Sequence, residues 1–439
     1  MLAWLGVILA SAGEPAVSPP EARGPDPRAV SESEQTQTAA SRLKQEAVAV
    51  AVEVAEAYPA DALSYALLGS AYHNTGRSEE AAKYLHKCLE LNPKLGDAYE
   101  VLALIAYERG NPEETIRLCR EALQLGPPNP DVLNRLGRAH LDLGRPDEAV
   151  RVLQQAVDLP RPSSESAYLL GQAFLQSGDP ARAKESFLRT LGMVPDHTQA
   201  CFGLFTACTR LGQSEEANRA REQFQKLEAT DRRALSDRNA EAESLSGLPL
   251  VRQTVARTLF GAAQIHRAHR QPAKAIDLLR RAALLDAENP NYRAALEAHF
   301  VQAQALEEGV AIFEQLARDQ PANGLNAYFL GRLYGRLGRL EAAGRAYRQV
   351  QQWDPAWPQG YRALAELYLR ADREPAEALK LARKAAELDP SGPHYFLLAQ
   401  AQLKNRNRPA AIEAMKQAVI LLPNETRYRD FLQQLQNAP

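Results

Sequence analysis

The chain has 439 residues, 24% charged and 45% hydrophobic, with a formal net charge of -2. Near-neutrality excludes a protein that grips polyanions through its overall charge. A composition led by Ala, Leu, Arg and Glu, without alternating β-branched runs, argues against a sheet and for an all-helical chain.

The first segment stands apart. Leu2 to Ala12 (LAWLGVILASA) is apolar, ends in the small residues Ala10, Ser11 and Ala12, and is too short to span a bilayer. Residues 1–12 therefore read as a secretory signal and imply export. No Lys or Arg precedes the apolar stretch, so a non-secreted, cytoplasmic chain is the alternative. Residues 13–37, rich in Pro, Glu, Ser and Ala, are expected to be a flexible leader. Thr38 to Tyr58 then has the pattern of one amphipathic helix.

From Ala62 a pattern returns every 34 residues. Tyr65, Leu68, Gly69, Tyr72, Gly76, Ala81 and Pro93 fall at positions 4, 7, 8, 11, 15, 20 and 32 of the first unit. Units follow from Gly96, Pro130, Ser164 and Thr198. The fourth is among the clearest, with Leu170, Gly171, Phe174, Gly178, Ala183, Phe187 and Pro195 in phase. The fifth has Phe205 where a small residue is normal. Pro59 stands at position 32 relative to the first unit, which makes the Thr38–Tyr58 helix an orphan second helix, or helix B. The first block thus covers residues 38–231.

Residues 232–255 are polar and irregular, around ESLSGLP, and read as a linker. A continuous or gently bent superhelix is expected across them, with two hinged subarrays as the alternative. The register resumes over 256–425. Units start at Ala256, at Pro290 (degenerate, with Glu297 at position 8 and Gly309 at position 20), and at Gly324 (Leu330, Gly331, Tyr334, Gly338, Ala343, Tyr347 and Pro355). A ninth, containing Tyr361, Leu364 and Ala365, has one extra residue near Arg373, and a tenth starts at Gly392. Residues 426–439 read as a capping helix.

A 34-residue period with these landmarks resembles the tetratricopeptide repeat over most of the chain. The resemblance implies an α-solenoid of about ten helical hairpins, each burying its apolar face against its neighbours. It also implies a binding scaffold, not a catalyst. Helix A positions 2, 5, 9, 12 and 13 of the family face a concave groove. Position 5 carries Tyr168, Phe202, Phe260, Tyr328 and Phe396 here, aromatic anchors for a peptide or helix or else packing against the next unit. Groove positions are acidic early (Asp97, Glu100, Glu108, Asp131, Asp142) and basic late (Arg257, Arg267, Arg332, Arg336, Arg362, Arg370, Lys404). The later block carries 23 Lys and Arg against 18 Asp and Glu, a surplus of +5 that leaves −7 elsewhere.

The expected partner is a protein or peptide segment with acidic and apolar residues, held in one orientation, and no nucleic acid is expected. Replacing Arg332 and Arg336 by Glu should weaken capture and leave the array folded. The Lys and Asn clamp of chaperone-tail binders would need positions 5 and 9 of the first unit, which are Ala66 and Ser70. No P-loop, dinucleotide-binding, nucleophile-elbow or HExxH motif appears, so no enzyme activity, cofactor or metal is expected. The alternative role is the substrate-reading subunit of an assembly whose catalyst is another chain. His266 and His269, three apart on a helix, are expected to pack rather than bind metal. Cys88 and Cys119, on the B helices of adjacent units, could pair if oxidised, and Cys201 and Cys208 are core fillers.

Overall fold

The computed structural model describes the backbone of residues 27–241 and 247–437 and the side chains of 37–231 and 247–437. The expected signal at 1–12 lies outside the described residues. Every regular element among them is an α-helix. After α1 (Pro27–Ala57) come five hairpins: α2 (Ala62–His73) with α3 (Ser78–Leu91), α4 (Gly96–Glu108) with α5 (Pro112–Leu125), α6 (Pro130–Asp142) with α7 (Pro146–Val157), α8 (Ser164–Gln176) with α9 (Pro180–Met193), and α10 (Thr198–Arg210) with α11 (Ser214–Glu241). Five more follow: α12 (Leu248–Ala268) with α13 (Pro272–Leu285), α14 (Pro290–Gln302) with α15 (Leu306–Asp319), α16 (Gly324–Arg336) with α17 (Leu340–Trp353), α18 (Pro358–Arg370) with α19 (Pro375–Leu388), and α20 (Gly392–Lys404) with α21 (Arg408–Leu421). The last helix is α22 (Thr426–Asn437). Each odd or even member keeps its place: the first helix of every hairpin is an A helix and the second a B helix.

Local chemistry sets the ends. Asp61, Asn129, Asn289 and Asn323 accept a hydrogen bond from the first turn of the helix they precede, contributing about 1 kcal/mol each. Between the helices of each hairpin, position 15 is left-handed in all ten units. Six are glycines with φ between 66° and 84°; the other four are Arg270, Gln304, Asp372 and Arg406, with φ from 53° to 59°. The extra residue of the ninth unit is absorbed by a second left-handed residue, Glu374, at φ 49°.

Close approach within a hairpin explains the small residue at position 8. A Cβ on Gly137 would lie 2.5 Å from Leu153, and one on Gly331 would lie 2.6 Å from Tyr347. Both neighbours occupy position 24 of the same unit, so that large side chain fills the space the glycine vacates. The seventh unit reverses the arrangement, with Glu297 at position 8 and Gly309 at position 20, where a Cβ would meet Phe300 at 2.9 Å.

The two blocks join in an order the sequence does not follow. α12 packs against α13, its own helix B, and also, less extensively, along α1, with α2 beside it. Ala47, in the position-20 phase of α1, is buried together with Val54 in the core built by α12 to α16, while Ala51 and Ala55 on the same helix belong to the core of the first block. α12 therefore serves as helix A for two B helices, α13 and α1. Ion pairs of Glu53 with Lys274 at 2.6 Å and of Glu46 with Arg281 frame the contact, and Asp61 Oδ2 lies within hydrogen-bond distance of His269 Nε2 at 2.9 Å. The expectation of one continuous run through residues 232–255 is not what the contacts show, because the second block docks on α1.

Boundaries shift as well. α1 begins at Pro27, inside the expected leader, and α11 and α12 extend to Glu241 and from Leu248 into the expected linker. Lys44, Ala47, Val251 and Val255 line one cavity, so the added first turns of α12 lie beside α1. All four cysteines are free and buried. Burial pushes the thiols of Cys88 and Cys119 up to about 11, which keeps them protonated and unreactive. Among the described residues, no helix is long and apolar enough to cross a membrane.

Candidate partner-binding surface

Successive A helices bring their positions 2, 5, 9, 12 and 13 to one side of the array. A cavity of about 660 Å³ lies across α18, α20 and α22. Four expected groove residues meet there: Arg362, Arg370, Phe396 and Lys404. Glu366, one turn from each arginine, accepts from Arg362 Nε at 2.8 Å and from Arg370 Nη2 at 3.0 Å. Lys404 Nζ reaches Asp372 at 2.8 Å. Phe396 stacks on Tyr428 with centroids 5.1 Å apart and meets Phe431 at 5.4 Å. The Arg427 guanidinium lies 4.6 Å over the free side of the Phe396 ring. Arg427, Tyr428 and Phe431 belong to the helix read from sequence as a solvated cap. Their repetition of the helix A phase one unit further on is the signal that would have found them.

A second group sits on α14 and α16. Arg332 and Arg336 both approach the Glu297 carboxylate, at 3.0 and 3.5 Å, and Glu297 is buried. Arg332 also lies over Tyr328 at 5.8 Å, and Tyr328 packs against Trp357 with centroids 5.1 Å apart. These two arginines neutralise a charge inside the hairpin, which corrects the expectation that they can be reversed to Glu without unfolding. Such a change would leave three carboxylates together around a buried site. Next to them Arg293, fully buried, donates to Asn326 Oδ1 at 2.6 Å, to Gln320 Oε1 at 2.9 Å and to the Ala283 carbonyl at 3.1 Å. Burial lowers its guanidinium to about 10.

The remaining expected residues are scattered. Arg257 and Arg267 are exposed on α12, and Phe260 is half-buried against Tyr292 at 5.5 Å. Tyr168 is only 8% exposed and its hydroxyl accepts from Gln172 at 2.6 Å. Phe202 is 52% exposed, in a small cluster with Phe205 and Phe224. A polar cavity of about 230 Å³ near Tyr168 is lined by Arg138, Asp142, Gln172 and Gln176, and Arg138 pairs with Glu165. His266 is buried with Nδ1 2.9 Å from the Tyr58 hydroxyl. No group of three or more metal-ligating side chains occurs among the described residues.

Profiles of the tetratricopeptide repeat match residues 62–95, 106–173, 168–232 and 327–356. The chain is a tetratricopeptide-repeat protein. Its fold is the helical-hairpin solenoid of that family, and the fold supports protein–protein interaction as the general role. No curated protein matches the chain. Among solved structures it is similar to YrrB, described as a TPR protein with an unusual peptide-binding site, at 21% identity and TM-score 0.39 over 43% of this chain and 97% of that one. It is also similar to yeast Tom70, at 16% identity and TM-score 0.38 over 87% and 96%. Tetratricopeptide-repeat proteins are in general non-catalytic scaffolds that bind protein or peptide partners.

Proposed function

We propose that this tetratricopeptide-repeat protein is a non-catalytic adaptor that holds a partner protein segment along its A-helix face, with the main contact at the end of the second block. The observation that carries the reading is the convergence of Arg362, Arg370 and Lys404 around the half-buried Phe396 in one cavity. An aromatic floor supplies apolar area and the cations favour an acidic segment. Arg257, Arg267, Tyr328, Arg332 and Arg336 continue the basic and aromatic character towards α12. Export follows from the apolar Leu2–Ala12 segment, and cell fractionation tests it.

A photo-crosslinking residue placed at Leu403, 39% exposed within the cavity, should trap a partner from native extract. The same residue at Ile420, 68% exposed on the helix B side, should not. Equal trapping at both positions, or trapping at Ile420 alone, rejects the A-helix face as the binding surface.

A further inference from the structure

α22 closes the stack, yet it also presents Arg427, Tyr428 and Phe431 to the cavity formed by α18 and α20. The cavity is thereby a pocket with three walls. On the α18 side, Arg362 and Arg370 are splayed one turn above and below Glu366, which binds both through separate oxygens. Across α20, Lys404 leans out to Asp372. On the α22 side, Arg427 has no carboxylate within ion-pair distance among the described residues; its guanidinium lies over the Phe396 ring. Four cations thus share two carboxylates, leaving a local excess of two positive charges. Between them the lining is apolar: Leu369, Leu397 and Leu403 with the Phe396 ring.

The geometry points to a specific occupant, and this inference rests on the adaptor reading above: a peptide segment with carboxylates on both sides of one aromatic or long aliphatic residue. The apolar residue would seat against Phe396 and Leu403. One flanking carboxylate would meet Arg362 and Arg370, sharing them with Glu366, and the other would meet Arg427 and Lys404. Charge complementarity selects this class. A neutral apolar peptide would leave the excess cations uncompensated, and a basic one would be repelled. The half-occupied arginines suit reversible capture, since Glu366 holds both in place before the ligand arrives and the ordering cost is already met.

The test uses the full chain and a fluorescein-labelled peptide with the core sequence EDFED, with EDGED, KKFKK and a single-stranded oligonucleotide as comparison probes. Fluorescence anisotropy should show saturable binding of EDFED that weakens as salt is raised. EDGED should bind about tenfold more weakly, through loss of the buried ring, and KKFKK should not bind. The paired change Arg362→Gln and Arg370→Gln, or Arg427→Gln alone, should weaken EDFED by about tenfold or more with circular dichroism unchanged. Lys184→Gln, on the first block and paired to Glu216, should leave binding as it was. Unaltered binding in the Arg variants, equal binding of KKFKK, or tighter binding of the oligonucleotide would overturn the assignment. Partner trapping at Leu403 without EDFED binding would leave the adaptor reading standing and sink this one.

Discussion

The two blocks have the same period, but they solve the interior of the hairpin differently. In the first, five successive units place glycine in the left-handed turn, and position 4 is Tyr65, Tyr99, Leu133, Ala167 or Cys201. In the second, four of five turns use a residue with a side chain, and the seventh unit buries Arg293 and Glu297 within its hairpin packing. The first block is the more regular stack. The second accepts strain and buried charge near the surface proposed to bind a partner, which is where departures from a consistent pattern are expected.

The contrast breaks most sharply at Arg293. Changing it to Ala strands Asn326, Gln320 and the Ala283 carbonyl, and should destabilise the second block by about 3–5 kcal/mol. Tryptophan fluorescence during urea unfolding checks this, because two of the three tryptophans, Trp353 and Trp357, lie there. If that signal keeps its midpoint, the polar interior contributes little.

Gly331→Leu should cost about 1–3 kcal/mol, since a Cβ added there would fall 2.6 Å from Tyr347. Gly137→Leu, against Leu153, should cost the first block a similar amount. Matched losses would show that hairpin packing is common to both blocks and that the polar interior is what separates them.

At the junction, Tyr58→Phe removes the contact with His266 and should lower stability by about 1 kcal/mol. Calorimetry should then show the transitions of the two blocks moving apart.

Acid should also discriminate between the blocks. Burial, aided by Lys274 for His266 and by Arg267 for His299, lowers both imidazoles, and burial with Arg120 does the same for His140 in the first block. A histidine whose folded value is depressed takes its proton first in the unfolded chain. Its stabilising contribution is complete above about pH 6.5 and is lost as the pH falls below that value. With two such groups against one, the second block should weaken faster between pH 7 and pH 5, and His299→Gln should flatten its slope.

The smallest effect is at the turns. Arg406→Gly relieves a side chain at φ 59° and should stabilise by about 0.5–1 kcal/mol. Gly144→Ala should lose about as much. A null result at Arg406 would mean that these turns carry no strain.

Much of this was legible in the residues. Period, hairpin phase, the glycines of the turn and the status of the helix before Ala62 as a helix B all follow from side-chain size recurring at fixed spacing. Phase alone cannot say which helix A a helix B will choose. Ala47 stands at the right position for a close neighbour, but nothing local marks α12 as that neighbour. The Glu297 pair was hidden because its two arginines lie in the following unit, so they read as groove charges. Phe396 and Lys404 were found from their register, whereas Arg427 was missed because a polar terminal helix has the composition of a lid as well as of a wall.

The sharing of α12 by two helices bears on how the protein is made. Tyr58 and His266 are 208 residues apart, and a ribosome adding about 5–20 residues per second needs roughly 10–40 s to pass from one to the other. During that interval the five first hairpins can form while the apolar stripe of α1 stays wet on one side. Nascent chains at this stage are therefore natural clients for a chaperone, and a stop codon placed before α12 should release a product prone to aggregation even though every hairpin upstream is intact.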